Sequence, residues 1–368
     1  MSIIIFLIIL SALVIVHELG HMSVAKFFGI RVDEFGLGYP PRIKKLFRWK
    51  ETDFTLNWLP FGGFVKIFGE NPDVDQSKSE QIMPDNFQSK NRGIQALVLF
   101  AGVFFNFIFA WFMISLGFMF GLPSPDVYGV SAQDSKTVIT RVLPDTPAFN
   151  AGVKPGDIVT NISRGGKTLS QETNSNNLLP EEVSNFISKD NSSLVLSINR
   201  SGENIDFKII PEAGIRAEKP AIGVSMDKIG MVRLPPHLAI YHSLGVAWGL
   251  TLSTAEALQT FIYEIFTGNA DFSSVTGPVG LVDMTGDVAQ LGFGYLLSFT
   301  ALISINLSLI NLLPFPALDG GRLLIVFGEA IFQRKTPAKL VNNLNAAGFI
   351  VLVLLMIIIT IRDIGNIL

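Results

Sequence analysis

Four stretches of the chain are long and apolar enough to cross a bilayer, and they constrain the fold more than any other feature. A bilayer core takes about 20 apolar residues of helix. It offers the backbone no hydrogen-bond partners, so only helices and closed barrels cross it. The stretches run roughly over 2–25, 94–121, 288–318 and 341–361. The third is free of charge from Val288 to Leu318, and the fourth ends in VLVLLMIIITI. Composition agrees. The 368 residues are 49% hydrophobic and 16% charged, with a mean hydropathy of +0.44, whereas soluble chains carry about 25% charged residues. A fifth apolar stretch, 235–267, carries His237, His242, Glu256 and Glu264. It reads as an amphipathic helical segment lying at the interface. The N-terminal run lacks the basic start and small-residue cleavage site of a secretion signal, so the expectation is a retained helix.

Charge and cysteine content exclude several classes. A net charge of −3 gives no footing for a nucleic-acid partner. With no cysteine, disulfides, thiolate zinc sites and thiol nucleophiles are ruled out. Lys and Arg placement orients the helices. The loop from Lys26 to Arg92 holds eleven of them, including RIKKLFRWK, and the loop after the third span holds Arg322, Arg334, Lys335 and Lys339. Positive loops stay cytoplasmic, which places both termini and the long segment 122–234 on the far side.

Two regions between the spans read differently. Residues 32–67, with DFTLNWLPFGGFVKIFG, are aromatic, β-branched and punctuated by Pro60, Gly62 and Gly63, as β-structure is. The stretch 70–90 is polar and reads as irregular. Residues 125–213 have the composition of a soluble domain. Within them, TVITRVLPDTPAFNAGVKPGDIVTNI alternates strand and turn, LPEEVSNFISK reads as a short helix with Val183, Phe186 and Ile187 on one side, and SLVLSINRSGENIDFKII reads as a hairpin around Ser201 and Gly202.

The chemistry concentrates at IVHELGHMSV, residues 15–24. His17 and His21 are four apart, so a helix stacks both imidazoles on one face. Two neutral imidazoles can hold zinc, and Glu18 can serve as general base on a zinc-bound water. His17 falls about 22 Å along its helix, inside a core about 30 Å thick and near its cytoplasmic side. A third ligand is still needed. His237 and His242 read as interfacial or packing residues. Asp319, in NLLPFPALDGG, closes the third span on the same side as the two histidines, so it is the candidate; a capping carboxylate is the other reading. Pro314 and Pro316 break the span just before it. Broken helix at membrane depth requires protein or a water-filled cavity around it, which is how water could reach the site. Asn106, Asn306 and Asn311 could bond a substrate backbone or bond neighbouring helices; both readings stand.

Taken together, these residues resemble the site-2 protease family of intramembrane zinc metalloproteases, in the bacterial branch that includes the regulator of sigma-E protease. The likeness covers almost the whole chain. VHELGHMSVAKFFGIRVDEFGLGY is similar to the family's first span, LPFGGFVKIFGE to its membrane-reentrant β-element, AGVFFNFIFA to its Gly-x-x-x-Asn segment and NLLPFPALDGG to its Leu-Asp-Gly motif. AGVKPGDIV is similar to the core of its PDZ domain, and SSVTGPVGLV to the segment before its third span.

The resemblance implies one zinc on His17, His21 and Asp319, with Glu18 as base. It implies that Asn106, Asn306 and Asn311 position substrate, and that the edge at Gly62, Gly63, Phe64 and Val65 holds an extended substrate by strand addition. The implied fold class is a multi-pass α-helical membrane protein of four transmembrane helices, with a reentrant β-element and one inserted PDZ domain. Its parts would be 1–28, 29–93, 94–121, the PDZ domain at 127–213, the interfacial segment 235–287, 288–321 and 341–362. The implied activity is regulated intramembrane proteolysis in the inner membrane. Substrates would be single-span proteins such as anti-sigma factors or remnant signal peptides, some already trimmed by another protease. The expected partners are the bilayer and those substrates, with a monomeric enzyme. Two departures stand out: there is room for one PDZ domain where relatives often have two, and Val103 stands where many have Pro. A membrane-anchored PDZ scaffold without catalysis is the competing class. The presence of both Glu18 and Asp319 argues against it, and no path of paired carboxylates supports a transporter.

Overall fold

The long apolar runs form helices, with breaks at Gly292 and at Pro314 and Pro316. The computed structural model describes residues 1–70, 83–125, 133–170, 178–200, 202–216, 219–269 and 275–367. Helix α1 spans Ser2–Phe27 and α2 spans Arg92–Phe120. Between them, β1 (Val32–Trp49) and β2 (Thr52–Ile67) form the predicted β-element. Of the stretch expected to be irregular, residues 71–82 lie outside the described residues, and a short 3-10 turn occupies Phe87–Ser89.

The two strands pair antiparallel but give four rungs. Lys66, Val65, Phe64 and Gly63 lie opposite Glu34, Phe35, Gly36 and Leu37. Those four are also in register with Asp53, Phe54, Thr55 and Leu56, which in turn face Arg48, Phe47, Lys45 and Lys44. The rung 63–66 is therefore an outer one. Its core side is anchored by Ile30, Val32, Phe35 and Ile67, which pack with Met22 and Ala25 of α1 and with Val98 and Leu99 of α2.

The third predicted span is divided. Helix α6 occupies Pro278–Leu291 and α7 occupies Phe293–Leu312. Gly292 separates them with a φ of 120°, a conformation that side-chain-bearing residues rarely adopt. The expected single span 288–318 is thus corrected to α7 alone. Asp319 does not close that helix but begins a new one, α8 (Asp319–Phe332). Pro314 and Pro316 lie in the connection and stop α7 before it, because proline lacks the N–H that a continuing helix would use. Helix α9 (Ala338–Ile367) follows. The segment at 235–267 is one continuous helix, α5 (Pro236–Thr267). Among the described residues, four helices are long and apolar enough to cross a membrane: α1, α2, α7 and α9 over Ala338–Gly365.

The chain divides into two compact units, Phe118–Ala239 and the remainder. In the first, a six-stranded path runs β3 (Leu122–Pro125), β11 (Val224–Val232), β4 (Gln133–Val142), β5 (Ile158–Arg164), β7 (Leu194–Arg200) and β8 (Glu203–Ile209), with β6 (Lys167–Ser170) on β5. The strands at Leu122–Pro125 and Val224–Val232 belong to this sheet although both begin or end outside the predicted 127–213. A small hairpin of β9 (Glu212–Arg216) and β10 (Lys219–Ala221) stands apart. A five-residue helix, α3 (Pro147–Ala151), sits where only turns were expected. The predicted short helix forms as α4 (Pro180–Ile187) and buries Val183, Phe186 and Ile187 against Ile139, Val159, Leu196 and Ile198. A groove of about 1770 Å³, open to solvent, lies between α4 and the start of β11, lined by Pro180, Ser184, Ile187, Gly223, Val224 and Met226.

Candidate metal centre

Helix α1 brings its two histidines to the interior by a stripe at helical spacing: Phe6, Ile9, Leu13, His17, Gly20 and His21 are buried. The stripe meets α2 at small residues. A Cβ on Gly20 would stand 2.8 Å from the Ala101 carbonyl carbon. A Cβ on Gly102 would stand 2.8 Å from His17 Nε2 and closer still to His21 Nε2. Two glycines thus let two backbones approach where lipid supplies no hydrophobic drive, and they leave the imidazoles room. Helix α7 adds a third wall. Ser304 and Ser308 donate from Oγ to the carbonyls of Asn106 and Val103, each at 2.8 Å.

Three donor atoms converge inside this packing. His17 Nε2 lies 2.9 Å from Asp319 Oδ2, His21 Nε2 lies 3.3 Å from the same oxygen, and the two Nε2 atoms are 3.2 Å apart. Ligand bonds of about 2.0–2.1 Å at a tetrahedral angle set neighbouring ligand atoms about 3.3 Å apart. The triangle fits one small tetrahedral cation such as zinc. The sequence separates His17 from Asp319 by 302 positions.

The groups behind the triangle fit the same cation. His21 Nδ1 donates to the Val98 carbonyl at 2.8 Å, which leaves its Nε2 lone pair facing inward. His17 Nδ1 lies 3.3 Å from the Asn106 amide, whose Oδ1 is buried without a partner. A half-turn of that amide exchanges its oxygen and nitrogen. Oδ1 then accepts from Nδ1–H, and His17 Nε2 is also freed. Asn106 therefore stands behind a histidine. Asn311 Nδ2 is 3.5 Å from His17 Nε2, at the rim. Asn306, five residues back along α7, lies about 140° around the helix from Asn311, and among the described residues it makes no bond to the triangle. His237 and His242 lie on α5, outside it.

Glu18 points to the β-element. Its Oε2 accepts from the Val65 N–H at 3.1 Å. Val65 therefore turns that N–H away from β1, and the two-residue alternation of a strand puts the backbone groups of Gly63 on the same side. Gly62 and Gly63 approach α1 closely, with their Cβ positions within 3.9 Å of Val14 and Ile15 side chains. One turn along α8 from Asp319, Arg322 pairs with Glu70, and further on Glu329 pairs with Arg92 at 2.6 Å. These residues line a cavity of about 640 Å³ open to solvent, together with Gln95, Leu99 and Asn345.

Sequence reasoning passed over Val98 and the two ion pairs, and it named Gly102 only as the glycine of the Gly-x-x-x-Asn segment. A glycine inside an apolar helix does signal close packing; a backbone carbonyl and a pairing across 252 positions leave no such trace.

Comparison with known proteins agrees in scope. The model of peptidase family M50 matches residues 5–355. A Clostridium perfringens protein named "putative zinc metalloprotease" is 34% identical over 99% of this chain and 98% of its own length. The zinc metalloprotease RasP of Oceanobacillus iheyensis is 28% identical, and the regulator of sigma-W protease RasP of Bacillus subtilis 27% identical; each alignment covers 99% of this chain and 98% of the relative.

Proposed function

The chain belongs to peptidase family M50, the site-2 protease family, as a zinc metalloprotease of the membrane, and we propose that His17, His21 and Asp319 hold its zinc while Glu18 is its general base. The observation that carries this reading is the triangle of three donor atoms 2.9–3.3 Å apart, with Glu18 next to it in the chain and bonded to an outer rung of sheet. When bound, zinc polarises a carbonyl and acidifies water. Glu18 takes the proton from the attacking water and returns it to the leaving amine. The carboxylate is held at a strand edge by Val65 N–H, so base and edge share one position.

A helical segment hides its peptide carbonyls in i→i−4 bonds and must be extended before attack. The edge at Gly63 and Val65 would bind it by strand addition, with Val65 N–H already engaged by Glu18. The substrates are single-span membrane proteins, cut within or near the span towards the cytoplasmic side. Water reaches the site from the solvent-open cavity lined by the charged pairs of Arg322 and Arg92. The unit Phe118–Ala239 is a PDZ-type domain on the other side of the inner membrane, and it screens substrates. The α5 helix lies at the interface.

The test is Glu18→Gln in detergent-purified protein. We expect zinc to remain and cleavage of a membrane substrate to drop by roughly 10²–10⁴-fold, the usual contribution of a general base. Wild-type cleavage in that variant would remove Glu18 as base. A well-folded wild-type preparation without stoichiometric zinc would favour the scaffold reading instead.

A further inference from the structure

The connection from α7 to α8, residues 313–318, delivers Asp319 to the triangle, and it is gripped from two sides. Ala317, two residues before Asp319, has a φ of 76°. That is left-handed backbone, disfavoured for any residue with a Cβ. Among the described residues, the other non-glycines with positive φ are Lys50, Asp145 and Gln333; Gln333 caps α8 and Lys50 turns β1 into β2. Ala317 alone of the four sits beside the candidate centre. Its N–H is donated to Asn345 Oδ1 of α9 at 3.3 Å. One turn further along α9, a Cβ on Gly348 would stand 2.7 Å from the Pro316 carbonyl carbon. From the α8 side, a Cβ on Gly321 would stand 2.7 Å from the Phe315 carbonyl carbon. Elsewhere α9 is thinly packed, with 6% of its most apolar window buried. At its far end Asp363 accepts the Gly280 N–H at 2.9 Å.

We infer that Asn345 is a positioning residue for Asp319: by holding the Ala317 N–H it keeps the left-handed turn closed, and the turn keeps the carboxylate beside His17 and His21. The inference rests on the reading of Asp319 as a metal ligand. It gives α9 a part in the centre that it performs without touching it. Gly348 allows the approach and Asn345 makes the bond. The donor is a backbone N–H left over where the chain leaves α7, a group that costs free energy when buried unpaired.

The experiment uses the full-length protein in detergent, with two readouts. One is the rate of zinc transfer to a chromogenic chelator; the other is hydrogen exchange across 313–321 in zinc-stripped protein. Asn345→Ala should speed zinc loss on the order of tenfold, as removal of groups that support a ligand does, and should speed exchange in the zinc-free state. Asn345→Asp keeps an acceptor oxygen and should behave as wild type. In an Ala317→Gly background, where left-handed backbone is readily adopted, N345A should speed zinc loss by a smaller factor. If N345A does not fold, Asn345→Ser, with its shorter reach, takes its place. The inference is overturned if the variant matches wild type in both readouts, or if N345D is as leaky as N345A. Asp319→Ala separates the two readings. If D319A keeps zinc as wild type does, the ligand assignment falls, and the zinc-free exchange alone decides the role of Asn345. If D319A loses zinc and N345A does not, only the positioning role falls.

Discussion

The two compact units differ in what they bury beside their apolar residues. Phe118–Ala239 hides aliphatic residues, with Ile139, Val159, Ile162, Leu196 and Ile198 nearly inaccessible. The other unit also hides apolar residues, but its interior holds His17, His21, Asn106, Ser115, Ser243, Ser304, Ser308 and Asp363, while Phe349, Ile358 and Ile361 of α9 lie outside. The difference follows from the surroundings. In water, burial of apolar surface stabilises by about 25 cal/mol per Å². In lipid that gain vanishes between helices, and small residues and hydrogen bonds hold them together instead. Ser115 and Ser243, bonded Oγ to Oγ at 2.6 Å, join α2 to α5 in this way.

Substitutions can break this contrast or sharpen it. The largest effect should come from Gly102→Leu. A side chain there enters the space of both imidazoles, so bound zinc and activity should both be lost, read by metal analysis and by cleavage. Leu196→Ala acts on the other kind of interior. It should destabilise the sheet unit by about 2–5 kcal/mol, seen in denaturant melts, while zinc content per folded chain stays unchanged. Asp157→Ala tests the rare buried charge of that unit. Its carboxylate, 1% exposed, accepts from Arg200 at 2.6 and 2.7 Å and from the Lys154 N–H at 2.8 Å. Arg200 is 29% exposed, so the loss should sit at the low end for a broken buried pair, about 3 kcal/mol. Ser308→Ala should be the mildest, about 0.6 kcal/mol, the average for a hydrogen bond between membrane helices. A loss above about 2 kcal/mol there would show that α7 is held to α2 far more strongly than such bonds usually allow.

What the sequence made legible was local. The four apolar runs follow from local composition, and the β-element at 32–67, the helix at Pro180–Ile187 and the pairing of His17 with His21 follow from residue pattern over a few positions. Pro314 and Pro316 announced a break before Asp319. They did not announce that Asp319 would open a new helix, because a proline reports where one helix stops and not where the next begins. The outer rung at 63–66 was foreseen only through family likeness; its register depends on strands that fold back, which no residue spacing encodes. Asn106, Asn306 and Asn311 looked equivalent. Helical phase then separated them, placing Asn106 behind His17 and Asn311 near it, while Asn306, among the described residues, makes no bond to the triangle. The strand at Val224–Val232 joined the sheet from beyond its predicted limit, since pairing between distant strands leaves little trace in either.

The 302 positions between His17 and Asp319 also have a meaning in time. Ribosomes add about 5–20 residues per second, so the carboxylate follows the imidazoles by about 15–60 s. During that interval α1 and α2 are already made, yet the donor set has two members. The Asn345 contact arrives later still. On the proposed ligand assignment, a half-made chain in the membrane thus carries the HELGH stretch but lacks the third ligand until Asp319 has been added.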